Sequence, residues 1–110
     1  MPLSEKARIE VYLPDRPELA YHELFDVLER ELTYAIGGCS VIRGVDGAYL
    51  SRLGALVRDR VSILYSDVPF TTSNHIGLIG RYADTLRHIV LRALNEEAML
   101  IAVLPVYHAV

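Results

Sequence analysis

Residues 7–33 read ARIEVYLPDRPELAYHELFDVLERELT, and this stretch sets the plan of the fold. Apolar and polar residues alternate over residues 7–13, which is the spacing of a strand with one buried face. Pro14 and Pro17 interrupt the strand, because proline donates no backbone hydrogen bond and disfavours helix in the residue before it. Apolar residues then recur three and four positions apart to about Thr33, which predicts a helix.

Two further strands follow the pair Gly37-Gly38, which ends the helix. We predict the second strand over residues 39–45, a tight turn at Asp46-Gly47, and the third strand over residues 57–66. Apolar residues in 49–55 show no regular spacing, so this segment fits either a loop or an irregular extension of the strand.

The last third of the chain predicts a long helix and an apolar strand. Residues 71–74 offer several N-cap side chains, and apolar residues recur at helical spacing over residues 76–94. Gly77 and Gly80 lie in this helix, where small residues three apart let a helix approach a sheet closely. Residues 98–104 are continuously apolar, as in a strand covered on both faces, and Pro105 is expected to limit its far end.

The order strand, helix, strand, strand, helix, strand predicts a single ferredoxin-like α+β domain over residues 1–110. Right-handed crossovers would give a four-stranded antiparallel sheet with both helices on one face. The first and third strands would be central and the last an edge. The open face of the sheet is expected to carry Arg8, Glu10, Tyr12, Ile42, Ser62, Leu64 and one parity of the last strand.

The uncharged last strand predicts a homo-oligomer, a trimer or a dimer. Proteins normally charge, shorten or cover an apolar sheet edge, because a bare one pairs with other chains. The alternative is that residues 107–110 fold back and cover it.

Composition excludes several classes of protein. The chain has 110 residues, of which 52% are hydrophobic and 23% charged, so disorder is excluded. A net charge of −3 disfavours nucleic acid as a partner, and no apolar run is long enough to cross a membrane. Cys39 is the only cysteine and has no partner for an internal disulfide. We therefore expect a cytoplasmic protein that binds neither nucleic acid nor membrane.

The residues that usually carry chemistry form no recognisable motif. The histidines His22, His75, His88 and His108 lack the i, i+4 spacing of a metal-binding helix, so we expect no metal and no cofactor. No cation stands near Cys39 in the sequence to lower its pKa, so we interpret it as a small buried hydrophobic residue.

Arginines around Asp46-Gly47 form the candidate binding site. Guanidinium groups bind carboxylates and phosphates through paired hydrogen bonds, and a tyrosine adds a stacking surface. The candidate residues for a small anionic ligand are Arg43, Tyr49, Arg52, Arg58 and Arg60. The alternative is an ordinary solvated hairpin with salt bridges.

Four short segments carry a resemblance to known proteins: Arg8–Tyr12, Gly37–Val41, Gly47–Tyr49 and Leu100–Val106. Together they resemble small, uncharacterised bacterial proteins that pair a GG-x-[ST]-V strand with a G-x-[YW] turn. The arrangement is also similar to the PII and CutA type of trimeric signalling protein. That resemblance implies that residues 44–58 form a long effector or partner loop.

The resemblance to PII proteins has one departure. Those proteins carry a glycine-rich nucleotide loop between the second helix and the last strand, where this chain has only Asn95-Glu96-Glu97. We therefore expect the PII architecture without its ATP site.

Two functions follow from these observations. The first is a non-enzymatic, homo-oligomeric binding or regulatory module of PII-like type that recognises a small anionic ligand or a partner protein. The alternative is a dimeric α+β barrel enzyme for a small organic substrate, with Glu10, Tyr12 and Tyr65 facing an enclosed cavity.

Overall fold

The computed structural model describes residues 3–94 and 100–109. Within them the elements are β1 (Leu3–Pro14), α1 (Leu19–Ile36), β2 (Ser40–Leu50), β3 (Leu56–Val68), α2 (Thr72–Leu94) and β4 (Leu100–Ala109). The strands form one antiparallel sheet in the order β2-β3-β1-β4. The ferredoxin-like α+β fold is confirmed, with β1 and β3 in the centre and β4 at an edge.

The core lies between the two helices and one face of the sheet. Every second residue of β1 from Ala7 to Leu13 is buried there, and α1 and α2 each contribute one apolar stripe. The largest fully buried side chains are Ile9, Val11, Leu13, Leu28, Leu32, Leu64, Leu86 and Val90. Each such side chain stabilises the fold by about 1.5–3 kcal/mol relative to full exposure, so this layer dominates folding.

The residues of β3 that face the helices are not the ones expected from the sequence. Leu64 is 0% exposed and Ser62 4%, so both lie under the helices and not on the open face. Ile63 and Tyr65 occupy the open face instead. Both parities of β3 carry apolar residues, so hydrophobicity alone could not choose between them. The hydroxyl of the buried Ser66 donates a hydrogen bond to the carbonyl of Gly38, which satisfies this polar group inside the core.

β4 is longer at its far end than the sequence indicated. The strand continues through Pro105, which pairs with Ala7, as far as Ala109. The prediction that Pro105 limits the strand is wrong, because an edge strand tolerates a residue without an N–H. Residues 107–109 extend the strand, so they do not fold back as a cover. The predicted first residues of this strand, 98 and 99, lie outside the described residues.

The two glycines of α2 do not allow a close approach to the sheet. A Cβ built on Gly77 or Gly80 would meet nothing within 4 Å, so the packing interpretation of these residues is wrong. The predicted capping region is confirmed, since the Thr71 hydroxyl accepts a hydrogen bond of 3.3 Å from the backbone N–H of Asn74. Neither described helix has the length and apolarity needed to span a membrane.

Candidate functional site

The β2–β3 hairpin projects beyond the rest of the sheet. The pairing of β1 with β3 ends at Pro14 and Val61, whereas β2 and β3 stay paired through five more residue pairs, from Asp46–Arg60 to Leu50–Leu56. At about 3.3 Å per residue these pairs form a two-stranded ribbon roughly 16 Å long. We call residues 45–61 the ribbon. It contains most of the segment that the sequence indicated as a binding surface.

A β-bulge at the base of the ribbon changes which side chains face which way. Ile42 pairs with Ile63 and Val45 pairs with Val61, so Arg43 and Gly44 together stand opposite one residue. Gly44 has a φ of +64°, which is in the left-handed region that favours glycine. The extra residue shifts the alternation, so that Ile42 and Val45 lie on the same side.

The five candidate residues do not form one site. Arg43 lies at the bulge, with its guanidinium carbon 4.2 Å from the centroid of the Phe25 ring. Arg52 lies in the turn at the tip, nine residues further, which corresponds to roughly 25–30 Å of extended chain. A small ligand therefore cannot contact both arginines of one chain.

Arg58 and Arg60 share one side of the ribbon, and Tyr49 lies on the other. Arg58 pairs with Ala48 and Arg60 with Asp46, while Tyr49 pairs with Val57, one position out of phase. The side chain of Arg60 forms an ion pair with Asp15, at 3.4 Å. Arg58 forms no ion pair with any residue that the structure describes. The tyrosine and these arginines therefore cannot close around one ligand within a single chain.

Tyr49 belongs to an apolar groove at the end of the sheet. The groove has a volume of about 400 Å³, and its lining includes Tyr12, Val61, Leu94 and Leu100. Tyr49 is itself 55% exposed. The Tyr49 ring therefore belongs to an apolar surface and not to the side of the ribbon that carries Arg58 and Arg60.

The tip of the ribbon is apolar. Leu50 and Leu56 pair across the two strands and are 73% and 63% exposed, and Leu53 in the turn is 97% exposed. Three leucines on a projecting ribbon are costly to hydrate, and exposed apolar patches of this kind mark interaction sites.

The open face of the sheet carries a charged cluster that the sequence did not reveal. The carboxylate of Asp67 on β3 accepts two hydrogen bonds from Arg8 on β1, at 2.7 and 3.0 Å. A ring nitrogen of His108 on β4 lies 2.9 Å from the same carboxylate. The Arg8 guanidinium also lies over the Tyr65 ring, 4.3 Å from its centroid. These residues are far apart in sequence, and only the register of three strands brings them together.

The electrostatics of this cluster follow from its hydrogen bonds. The hydrogen bonds from Arg8 lower the pKa of Asp67, and the same contact raises the pKa of Arg8. The Asp67 carboxylate is therefore charged at neutral pH, and both of its oxygens are already in contact with Arg8 or His108.

The residues named for the alternative enzyme also lie on the open face. The Tyr12 hydroxyl donates a hydrogen bond of 2.8 Å to the carboxylate of Glu10, which raises the pKa of Tyr12. Glu10 pairs with Tyr65 in the β1–β3 register. A tyrosine whose proton is held by a carboxylate is a weaker acid, so this arrangement does not activate it.

Cys39 lies in an environment that does not activate its thiol. Cys39 is half-buried against the core, and burial raises the pKa of its thiol, which disfavours the nucleophilic thiolate. No group of three or more His, Cys, Asp or Glu residues within 3–94 and 100–109 is arranged to hold a metal ion.

The fold of this chain is similar to the fold of CutA1 proteins of known structure. Among solved structures, the chain is similar to the divalent cation tolerance protein CutA1 of Thermus thermophilus and to CutA1 of Oryza sativa. The first has a TM-score of 0.58 and 16% identity, and the match covers 93% of this chain and 84% of that one. The second has a TM-score of 0.60 and 15% identity, with 97% and 84% covered. No protein-family model and no curated protein sequence matches the chain.

Proposed function

We propose that the protein is a small homo-oligomeric binding or regulatory module of PII-like type, whose ribbon contacts an acidic surface of a partner protein. The observation that carries this proposal is the projecting ribbon with its exposed arginines. Arg52 and Arg58 are exposed and form no ion pair within the described residues, so their guanidinium donors are available to a partner. A charged ribbon that extends beyond the rest of the sheet is well placed for such a contact.

The apolar surfaces support the oligomeric part of the proposal. The open face carries Ile42, Ile63 and alternate residues of β4, and the ribbon ends in the exposed leucines described above. Apolar area gains roughly 25 cal/mol for each Å² removed from water, so a second copy that covers these surfaces would be held by the hydrophobic effect. The edge strand β4 adds unpaired backbone groups that favour the same association.

Sedimentation equilibrium tests the oligomer. We expect a species whose mass is a small multiple of the 12.3 kDa chain mass. The variant Leu53→Ser should shift the equilibrium towards smaller species, whereas Leu19→Ser, at a residue that is also exposed, should not. A single 12.3 kDa species at working concentration would contradict the proposal.

Binding of poly-L-glutamate, used as a model acidic surface, tests the arginine contact. We expect the double variant Arg52→Ala/Arg58→Ala to lose binding in calorimetric titrations. The double variant Arg81→Ala/Arg87→Ala removes the same charge from α2 and should bind like the wild type. Equal binding by the two variants would rule out the ribbon as the recognition surface.

A further inference from the structure

A small cavity lies at the base of the ribbon, on the helix side of the sheet. Its volume is about 90 Å³, and it is lined by the end of β1 and the loop that follows, the first turns of α1, the bulge of β2 and one residue of β3. The polar side chains that line it include Arg16, His22, Asp26, Arg43 and Ser62. A volume of this size holds one small group rather than a whole nucleotide.

Arg43 reaches this cavity because it follows Ile42 on the opposite side of β2 and stands opposite the buried Ser62. Arg43 shares the single Ser62 position with Gly44, and the positive φ of Gly44 returns the chain to the strand. Arg43 is then held against the face of Phe25, a ring that also lines the cavity. The cation–π contact holds the guanidinium group over the ring, and its N–H donors remain able to bind an anion.

A second guanidinium is held in the same way. The Arg16 carbon lies 5.5 Å from the centroid of the Tyr21 ring, and both residues line the cavity. Neither Arg16 nor Arg43 forms an ion pair with any residue in the described ranges. Two arginines are therefore positioned by aromatic rings, and their hydrogen-bond donors are not consumed by carboxylates.

The charge balance of the cavity favours a singly charged anion. Asp15 lines the cavity but is ion-paired with Arg60. Asp26 then remains as one negative charge against the two positive charges of Arg16 and Arg43. The site is thus positive by about one charge, with a nearby carboxylate that opposes a dianion.

We propose that this cavity binds the oxyanion group of a small molecule, a carboxylate or a singly charged phosphate group, through the guanidinium groups of Arg43 and Arg16. The inference rests on the proposed function, since it supplies the small-anion site of the same binding module. Arginine forks suit both anions, because each presents two oxygens at matching separation. The rest of the ligand would extend outward from the cavity, which is open to solvent.

NMR titration of the ¹⁵N-labelled protein tests the site, with sodium acetate and sodium phosphate as probes at constant ionic strength. We expect saturable shifts of the backbone amides of Arg43, Gly44, Tyr21 and His22. Stronger binding of acetate would identify a carboxylate ligand, and stronger binding of phosphate a phosphate ligand. The variant Arg43→Gln should weaken binding roughly tenfold or more, because a charge-assisted pair of hydrogen bonds is lost.

Control variants separate this site from simple charge and from the ribbon surface. Arg87→Gln removes one charge from α2 and should leave the affinity unchanged, and Arg43→Lys should restore it only in part. Absence of saturable shifts, or unchanged affinity in Arg43→Gln, would overturn the inference. The ribbon contact is measured in a separate experiment, the binding of poly-L-glutamate by Arg52→Ala/Arg58→Ala. Failure of one proposal can therefore be distinguished from failure of the other.

Discussion

Asp67 receives both donors of the Arg8 fork, at 2.7 and 3.0 Å, across the central strand pair of the sheet. The two side chains are 59 positions apart in sequence and only partly buried. The contact fixes the register of β1 against β3, because a slip by one residue would place the partners on opposite faces. It also pairs two opposite charges on the open face of the sheet within a single chain.

Replacement of Asp67 by asparagine should destabilise the fold. The change removes a charge-assisted pair of hydrogen bonds and leaves Arg8 without its carboxylate, so we expect a loss of about 1–3 kcal/mol in the free energy of unfolding. Urea denaturation monitored by circular dichroism measures it. The control Asp84→Asn, at an exposed residue of α2, should change the free energy little. Equal effects of the two substitutions would contradict a structural role for the Arg8–Asp67 pair.

The same contact predicts a pH dependence with a definite sign. Hydrogen bonds from Arg8 lower the pKa of Asp67 below its ordinary value of 3.8, so the folded state holds this carboxylate charged more strongly than the unfolded state does. Its stabilising contribution is therefore complete above about pH 4 and is lost as the pH falls through the lower, folded-state pKa. The difference in unfolding free energy between the wild type and Asp67→Asn should shrink in this range. A difference that grows on acidification would show that the sign is wrong.

Alanine substitutions at Gly44 in the bulge and at Gly80 in α2 should change the stability of the fold in opposite directions. Gly44→Ala places a Cβ against the Arg60 guanidinium at a left-handed φ of +64°, and should cost about 1–2 kcal/mol. Gly80→Ala, on an exposed helical position with open space around it, should instead stabilise by about 0.5–1 kcal/mol. Thermal unfolding of both variants checks the prediction, and a stabilised Gly44→Ala would mean that the bulge is absent.

Alanine substitutions at two neighbouring residues test which face of β3 packs against the helices. Leu64→Ala should lower the free energy of unfolding by about 2–5 kcal/mol, because it leaves a cavity under the helices. Ile63→Ala, on the open face, should lower it less but should weaken self-association. The two variants are compared by urea denaturation and by sedimentation. A larger loss of folding stability for Ile63→Ala would reverse the assigned faces.

Much of the fold was predictable because its signals are local. The alternation over residues 7–13 and the helical spacing over residues 76–94 arise from chain geometry, so each element could be recognised alone. The candidate site was less predictable. Arg43, Tyr49 and Arg52 are close in sequence, yet the length of the ribbon and the bulge at its base separate them in space.

The order of elements, the antiparallel sheet and the edge position of β4 follow from periodicity and connection rules along the chain. Only the folded chain shows that Leu64 faces the core, that Arg43 lies over Phe25, and that Arg8, Asp67 and His108 meet. These outcomes depend on the register between strands that are distant in sequence. A shift of a single position exchanges the faces of a strand, and no local pattern in this chain carries that information.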